Sequence, residues 1–205
     1  MYKSFFKRLI DIVLSGFAII ALFPLMLVVA VVVKCNSKGP VLFWQKRVGK
    51  NKREFLMPKF RTMYCETPAN MPTHLLNNPE KWITGSGKVL RKTSLDELPQ
   101  LFSIFCGDMS IIGPRPALYN QYDLIAERDK YGANDIRPGL TGWAQINGRD
   151  ELEIDVKAKL DGEYVKNLSF LFDCKCFFGT VVSVLKHDGV VEGGTGQIRK
   201  ENTEK

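Results

Sequence analysis

The hydrophobic pattern of the chain begins with an uncharged, mostly apolar run over residues 12–33. A helix needs about 20 apolar residues to cross a bilayer, and this run is long enough. Basic residues flank it on both sides, with Lys3, Lys7 and Arg8 before it and Lys34 directly after it. Lysine and arginine mark the cytoplasmic side of a membrane. A spanning helix would export one basic flank, whereas a helix that enters, bends and returns keeps both flanks on one side.

Pro24 lies near the middle of this run, where it removes one backbone hydrogen-bond donor. The sequence therefore predicts a re-entrant membrane helix bent at Pro24, with a spanning helix as the alternative. A cleaved signal peptide is disfavoured, because Asp11 interrupts the start of the run and no small-residue cleavage site follows it.

The pattern after the apolar run predicts a compact domain. Two short apolar segments at 41–45 and 54–57 enclose a polar turn with a glycine, which is typical of a β-hairpin. Helical patterns and breaker-rich stretches alternate after it. Helices are predicted at 87–92, 98–105 and 118–131, and loops at 63–83 and 135–149.

A second apolar element is predicted from Lys166 to His187. Polar and small residues recur there at three- and four-residue steps among phenylalanine, leucine and valine. This pattern favours an amphipathic helix in the membrane interface, with an ordinary core helix as the alternative. Together the patterns predict a mostly helical α/β chain of the α+β type. Its parts are a membrane-embedded helix over 1–36, a compact domain over 37–188 and a flexible tail over 189–205.

Composition narrows the class of protein. The formal net charge of +7 over 205 residues favours acidic partners such as lipid head groups, nucleotide phosphates or nucleic acid. The five cysteines are odd in number and include no C-x-x-C pair, and only two histidines accompany them. A zinc site and a disulfide framework are both disfavoured, and reduced thiols in a cytoplasmic setting are expected.

The stretch from Arg91 to Pro116 carries the candidate chemistry. It places the adjacent acids Asp96 and Glu97 between Arg91 and Arg115. Carboxylates bracketed by arginines are typical of a site that handles phosphate and a divalent cation together. The alternative is helix capping, by a capping box of Ser94 with Glu97 or by Asp96 as the N-cap. The two interpretations are compatible, because a helix amino terminus also binds anions.

Four ordered blocks resemble a known family: KFRTM from Lys59, RKTSLDELPQLF from Arg91, GDMSIIGPRP from Gly107 and RPGLTGWAQINGR from Arg137. They are similar to the bacterial sugar transferases, and the chain resembles the small monotopic phosphoglycosyl transferases. The resemblance covers nearly the whole chain. It implies transfer of a sugar 1-phosphate from a UDP-sugar to polyprenyl phosphate with release of UMP. It also implies a catalytic domain on the cytoplasmic face of the bacterial inner membrane.

The same resemblance implies roles for individual residues. Asp96 would be the nucleophile that forms an acyl-phosphate intermediate. Asp96 and Glu97 would hold Mg²⁺, although the sequence leaves open whether Glu97 binds the metal or acts as a base. Lys59, Arg91 and Arg115 would neutralise phosphate oxygens. Trp143 is expected to stack or to pack. Three further residues are expected to hold the nucleotide: Arg137, Gln145 and Arg149.

Two other classes of function remain as alternatives, a membrane-anchored nucleic-acid binder and a non-catalytic scaffold. A nucleic-acid partner is not expected, because no aromatic stacking surface or reading element is evident and the acid pair would be unexplained. The expected partners are a UDP-sugar, polyprenyl phosphate and membrane lipids. A homo-oligomer, the identity of the sugar and the glycan that is built all stay open.

Overall fold

The computed structural model describes residues 2–67, 78–148 and 152–186. The predicted tail, residues 68–77 of the predicted loop and Arg149 lie outside these ranges. The helices are α1 (Lys7–Asn36), α2 (Gly85–Lys92), α3 (Gln100–Cys106), α4 (Tyr122–Asp129), α5 (Trp143–Ile146), α6 (Ile154–Asn167) and α7 (Phe170–Lys186). The strands are β1 (Leu42–Val48), β2 (Glu54–Phe60), β3 (Ser110–Ile112) and β4 (Gly139–Thr141). The chain is therefore mostly helical with short strands, as the sequence predicts.

Helix α1 is continuous through Pro24. The structure therefore shows no interruption of the helix at Pro24, and the re-entrant arrangement stays a prediction. Among the described residues, α1 is the one helix that is long and apolar enough to cross a membrane. Its outward side chains include Phe17 and Ile20, which are 72% and 77% exposed. One side of the helix therefore offers an apolar surface that suits lipid.

Both ends of α1 contact the rest of the domain. Near its start, Arg8 donates hydrogen bonds to carbonyl oxygens at the end of α3, and Asp11 accepts one from the backbone N–H of Ile111 at 2.9 Å. At its last residue, Asn36 accepts a hydrogen bond from the backbone N–H of Ser86 at 3.1 Å. The two ends are thus attached to the same compact unit.

Two small sheets organise the domain. Strands β1 and β2 pair antiparallel, from Leu42 opposite Phe60 to Val48 opposite Glu54, which confirms the predicted hairpin. Strands β3 and β4 pair in parallel. The prediction of a loop over 135–149 is therefore wrong in part, because this stretch contains β4 and the short helix α5.

The main core joins α1 to the hairpin and α3. One side of α1 packs into it through residues spaced three and four apart, the spacing that places side chains on one helix face. The buried members of this core are Met26, Val29, Val33, Met57, Phe60, Leu90, Leu101, Ile104 and Met109. The hairpin and α3 therefore both pack against α1. This arrangement also brings β2 into contact with the turn that precedes α3.

Helix α7 confirms that the predicted element between Lys166 and His187 is helical. Its inner side carries Asp173, whose carboxylate accepts hydrogen bonds from Tyr164 at 2.6 Å and from Tyr2 at 2.5 Å. Lys7 pairs with the same carboxylate at 2.7 Å. Its outer side exposes six large apolar residues: Phe170, Leu171, Phe177, Phe178, Val181 and Val182.

Candidate active site

The turn between α2 and α3 presents the two adjacent acids. Helix α2 ends at Lys92, and Ser94 then adopts a left-handed conformation with φ of 56°. Asp96 and Glu97 lie in the single 3₁₀ turn Leu95–Glu97 that follows. The prediction of helix capping is wrong: Ser94 makes no capping hydrogen bond, and Asp96 lies within the turn. An N-cap residue needs an extended backbone, which the left-handed Ser94 does not have.

Glu97 gathers two cations from distant parts of the chain. Its Oε1 atom accepts a hydrogen bond from Lys59 Nζ at 2.9 Å and another from Arg115 Nη2 at 2.6 Å. Lys59 lies near the end of β2, and Arg115 follows β3. The structure therefore brings three of the predicted site residues into direct contact across three separate segments.

Asp96 is placed beside this cluster without being part of its ion pairs. The residue is only 8% exposed. Burial, reinforced by the nearby charge of Glu97, raises the pKa of Asp96 to about 6, while Lys59, Arg91 and Arg115 act in the opposite direction. A carboxyl group with this pKa is roughly 90% ionised at pH 7. Asp96 is thus a charged group from which most water has been excluded.

Glu97 has the opposite electrostatic character. Burial opposes its charged form, but Arg115 and Lys59 outweigh burial and hold its pKa well below the ordinary value. Burial also lowers the pKa of Lys59, and the attraction of Glu97 opposes this effect. Because Glu97 is strongly held in its charged form and lies 2.9 Å from Lys59 Nζ, the charged form of Lys59 and the ion pair are favoured. Glu97 is therefore poorly suited to accept a proton at neutral pH.

Arg91 and Arg47 complete the basic surroundings. Arg91 lies in the last turn of α2 and donates from Nε to the hydroxyl of Thr62 at 2.9 Å. Arg47, in β1, donates from Nη1 to the carbonyl oxygen of Pro116 at 2.8 Å, which fixes the backbone next to Arg115. From the sequence alone neither Arg47 nor Thr62 receives a role. Thr62 belongs to the KFRTM block, but its contact with Arg91 depends on the tertiary structure, and Arg47 has no pattern that distinguishes it from an ordinary strand residue.

The predicted nucleotide-binding residues make their contacts elsewhere. Arg137 donates to the carbonyl oxygen of Gly107 at 2.8 Å and lines a cleft of about 430 Å³, which lies at the opposite end of α3 from Glu97. Gln145 is buried and donates to the carbonyl oxygen of Leu140 at 3.0 Å. Their nucleotide-binding roles stay predictions, as does that of Arg149, which lies outside the described residues.

Trp143, by contrast, has a clear packing role. Its ring lies 5.0 Å from the ring of Phe172, measured between centroids, and its Nε1 donates to Glu163 at 3.0 Å. The packing alternative is therefore the one that the structure supports.

The described residues contain no group of three or more histidine, cysteine or acidic side chains that could hold a metal ion. Asp96 and Glu97 supply two neighbouring carboxylates, and one oxygen of Glu97 is already shared by two cations. Magnesium is commonly held by one or two carboxylates together with substrate phosphates. The residues present therefore fit a magnesium ion that takes its other ligands from a bound phosphate and water.

Comparison with known proteins identifies the family. The family described as bacterial sugar transferase matches residues 2–187. The chain is 39% identical over 188 residues to the UDP-N-acetylgalactosamine-undecaprenyl-phosphate N-acetylgalactosaminephosphotransferase of Aeromonas hydrophila, covering 89% of this chain and 44% of that protein. It is also 39% identical over 184 residues to EpsL, an uncharacterized sugar transferase of Bacillus subtilis, covering 90% of this chain and 89% of that protein.

A third relative is the UDP-glucose:undecaprenyl-phosphate glucose-1-phosphate transferase of Escherichia coli. It is 39% identical over 183 residues, which cover 85% of this chain and 39% of that protein. The chain thus spans less than half of the Aeromonas and Escherichia relatives and most of the Bacillus one. On the extent of the family match, the chain belongs to the bacterial sugar transferase family.

Proposed function

We propose that this protein transfers a sugar 1-phosphate from a UDP-sugar to polyprenyl phosphate, such as undecaprenyl phosphate, and releases UMP. The observation that carries the proposal is the charge distribution around Asp96: a buried acid beside three cations, two of which are held by Glu97. The Aeromonas and Escherichia relatives are named for the same class of donor and acceptor. A nucleic-acid binder or a scaffold would leave the buried Asp96 and its ion-paired neighbour Glu97 unexplained.

Asp96 is the proposed nucleophile. One of its carboxylate oxygens forms a bond to the β-phosphorus of the UDP-sugar, and the bond from that phosphorus to the bridging oxygen breaks, so that UMP leaves with both electrons. An oxygen of the polyprenyl phosphate then attacks the same phosphorus and frees Asp96. Asp96 is better suited than Glu97 to be the nucleophile. Glu97 is engaged in ion pairs with Lys59 and Arg115, whereas the Asp96 carboxylate makes no such pair among the described residues and is largely excluded from water.

Glu97 is proposed to orient cations rather than to act as a base. A group whose pKa lies well below its ordinary value has little tendency to take a proton at neutral pH. Its two contacts instead fix Lys59 and Arg115 beside Asp96. Cations fixed in advance stabilise the negative charge that develops on phosphoryl oxygens during transfer.

Mg²⁺ is proposed as the cofactor, held by Asp96 and Glu97 together with phosphate oxygens of the substrate. When bound, it would neutralise part of the phosphate charge. Removal of divalent cations by EDTA should stop UMP release, and added Mg²⁺ should restore it. Full activity in excess EDTA would exclude the ion.

The membrane arrangement is proposed to be monotopic, with a re-entrant α1 and the catalytic domain on the cytoplasmic face. Two observations support it: both ends of α1 are hydrogen-bonded to one compact unit, and both flanks are basic. The exposed phenylalanines of α7 would enter the acyl boundary nearby. A polyprenyl chain could then stay in lipid while its phosphate reaches Asp96.

The decisive experiment is intact-mass analysis of the purified protein mixed with a panel of UDP-sugars and Mg²⁺, without acceptor. We expect release of UMP and a mass increase equal to one sugar phosphate, located on Asp96. Asp96→Asn should give neither, whereas Asp123→Asn, at an exposed position on α4, should behave like the wild type. Turnover that requires both substrates at once and never modifies the protein would exclude the proposed intermediate.

A further inference from the structure

The three cations near Asp96 are held by two different kinds of contact. Lys59 and Arg115 both donate to Glu97, as described above. Arg91 instead donates through Nε to Oγ1 of Thr62 at 2.9 Å. Arg91 is thus fixed by a neutral hydroxyl group. Glu97 accepts hydrogen bonds from two of the cations, and Thr62 accepts one from the third.

Thr62 is itself fixed by the backbone around it. The residue follows β2 and is 7% exposed. Its carbonyl oxygen accepts a hydrogen bond from the backbone N–H of Thr84 at 3.0 Å and another from the Thr84 hydroxyl at 3.3 Å. Thr84 in turn caps α2 by accepting from the backbone N–H of Gly87 at 3.0 Å. The first turn of α2 is therefore attached to Thr62.

The packing between Thr62 and α2 is close enough to fix the helix in place. A Cβ atom added to Gly87 would lie 2.1 Å from the Thr62 carbonyl oxygen, which no side chain can do. Gly87 and Arg91 are four residues apart, so they lie on the same face of α2. The backbone of Thr62 thus packs against Gly87 in the first turn of α2, and its hydroxyl contacts the guanidinium of Arg91 in the last turn of the same helix.

We infer that Thr62 is a positioning residue for the reaction: its hydroxyl holds the Arg91 guanidinium so that the two terminal amino groups can receive a phosphate of the donor beside Asp96. The inference rests on the proposed function. An arginine has many rotamers, and a bond at Nε restricts them while leaving Nη1 and Nη2 for bidentate contact with phosphate. The backbone geometry agrees with this placement: the carbonyl oxygen of Arg91 accepts a hydrogen bond at 3.2 Å from the backbone N–H of Ser94, the residue directly before the turn that carries Asp96.

The hydroxyl can be tested with a matched pair of substitutions. Thr62→Val removes the acceptor but keeps the branched shape and the backbone carbonyl, whereas Thr62→Ser keeps the acceptor. We expect Thr62→Val to lower kcat/KM for UMP release at least 10-fold, the effect of losing a hydrogen bond to a charged group. Thr62→Ser should stay within about twofold of the wild type.

A double-mutant cycle separates positioning from stability. In an Arg91→Lys background the bond from Nε is absent, so Thr62→Val should cause little further loss of activity. Equal losses in both backgrounds, or equal impairment by Thr62→Val and Thr62→Ser, would show that the hydroxyl has another role. A Thr62→Val protein that melts earlier but keeps wild-type kinetics would also overturn the inference, and so would failure of both Thr62→Val and Thr62→Ala to fold.

The outcome for Thr62 can be told apart from the outcome for the proposed function. If the wild type releases no UMP and forms no adduct with any UDP-sugar, the proposed function fails. If the wild type forms the adduct and Thr62→Val forms it at the same rate, only the positioning inference fails.

Discussion

Asp96→Asn should make the protein more stable at the same time as it removes activity. The pKa of Asp96 is about 6 in the folded protein, against an ordinary value of 3.8. The difference of about two units corresponds to about 3 kcal/mol at 1.36 kcal/mol per unit. This is the order of magnitude by which the ionised carboxylate destabilises the folded state. An amide of the same shape carries no charge, so it avoids most of this cost.

The direction of the pH dependence follows from proton linkage. A group whose folded-state pKa is raised binds its proton more tightly in the folded than in the unfolded protein. The stability that this proton contributes is fully present below about pH 4 and is lost as the pH rises through about 6. The advantage of Asp96→Asn should therefore be largest at pH 8 and should shrink towards pH 4.

The assay compares denaturant unfolding of the wild type and Asp96→Asn in detergent at pH 4.5 and pH 8, with adduct formation measured in parallel. Asp123→Asn, at an exposed site in the first turn of α4, should change stability by less than about 1 kcal/mol at either pH. An Asp96→Asn protein that is less stable than the wild type at pH 8 would refute the argument from burial. One that still forms the adduct would refute the assignment of the nucleophile.

Three other results are expected. The rate of adduct formation on Asp96 should fall as the pH is lowered through about 6, and a rate that is flat from pH 5 to 8 would contradict this. Glu97→Gln should lower UMP release about 100-fold, because Lys59 and Arg115 lose the charge that orients them, and near-wild-type release would show that another group does so. In a variant with Cys35 as its sole cysteine, a membrane-impermeant thiol reagent should label this residue at the end of α1 in inverted vesicles but not in spheroplasts, and the reverse result would exclude the proposed orientation.

The sequence predicts the parts of the fold that depend on local patterns. The hairpin and five of the seven helices have their own periodicity and breakers, so they are predicted without knowledge of the tertiary structure. Helices α5 and α6 were not predicted. Strands β3 and β4 were missed because each has three residues and finds its partner far along the chain. The capping prediction for Ser94 failed for a related reason: the chain reverses there, and the left-handed backbone at Ser94 overrides a local side-chain preference.

The candidate site shows the same division between what is local and what is not. That Asp96 and Glu97 lie together is local, since they are neighbours in the chain. That their pKa values shift in opposite directions is not a local property. The difference depends on which of the two acids contacts Lys59 and Arg115, and these residues come from other segments. Two adjacent carboxylates compete for the same cations, and geometry gives both cations to Glu97. Asp96 is therefore left buried with a raised pKa, which is the property that a nucleophile in this position needs.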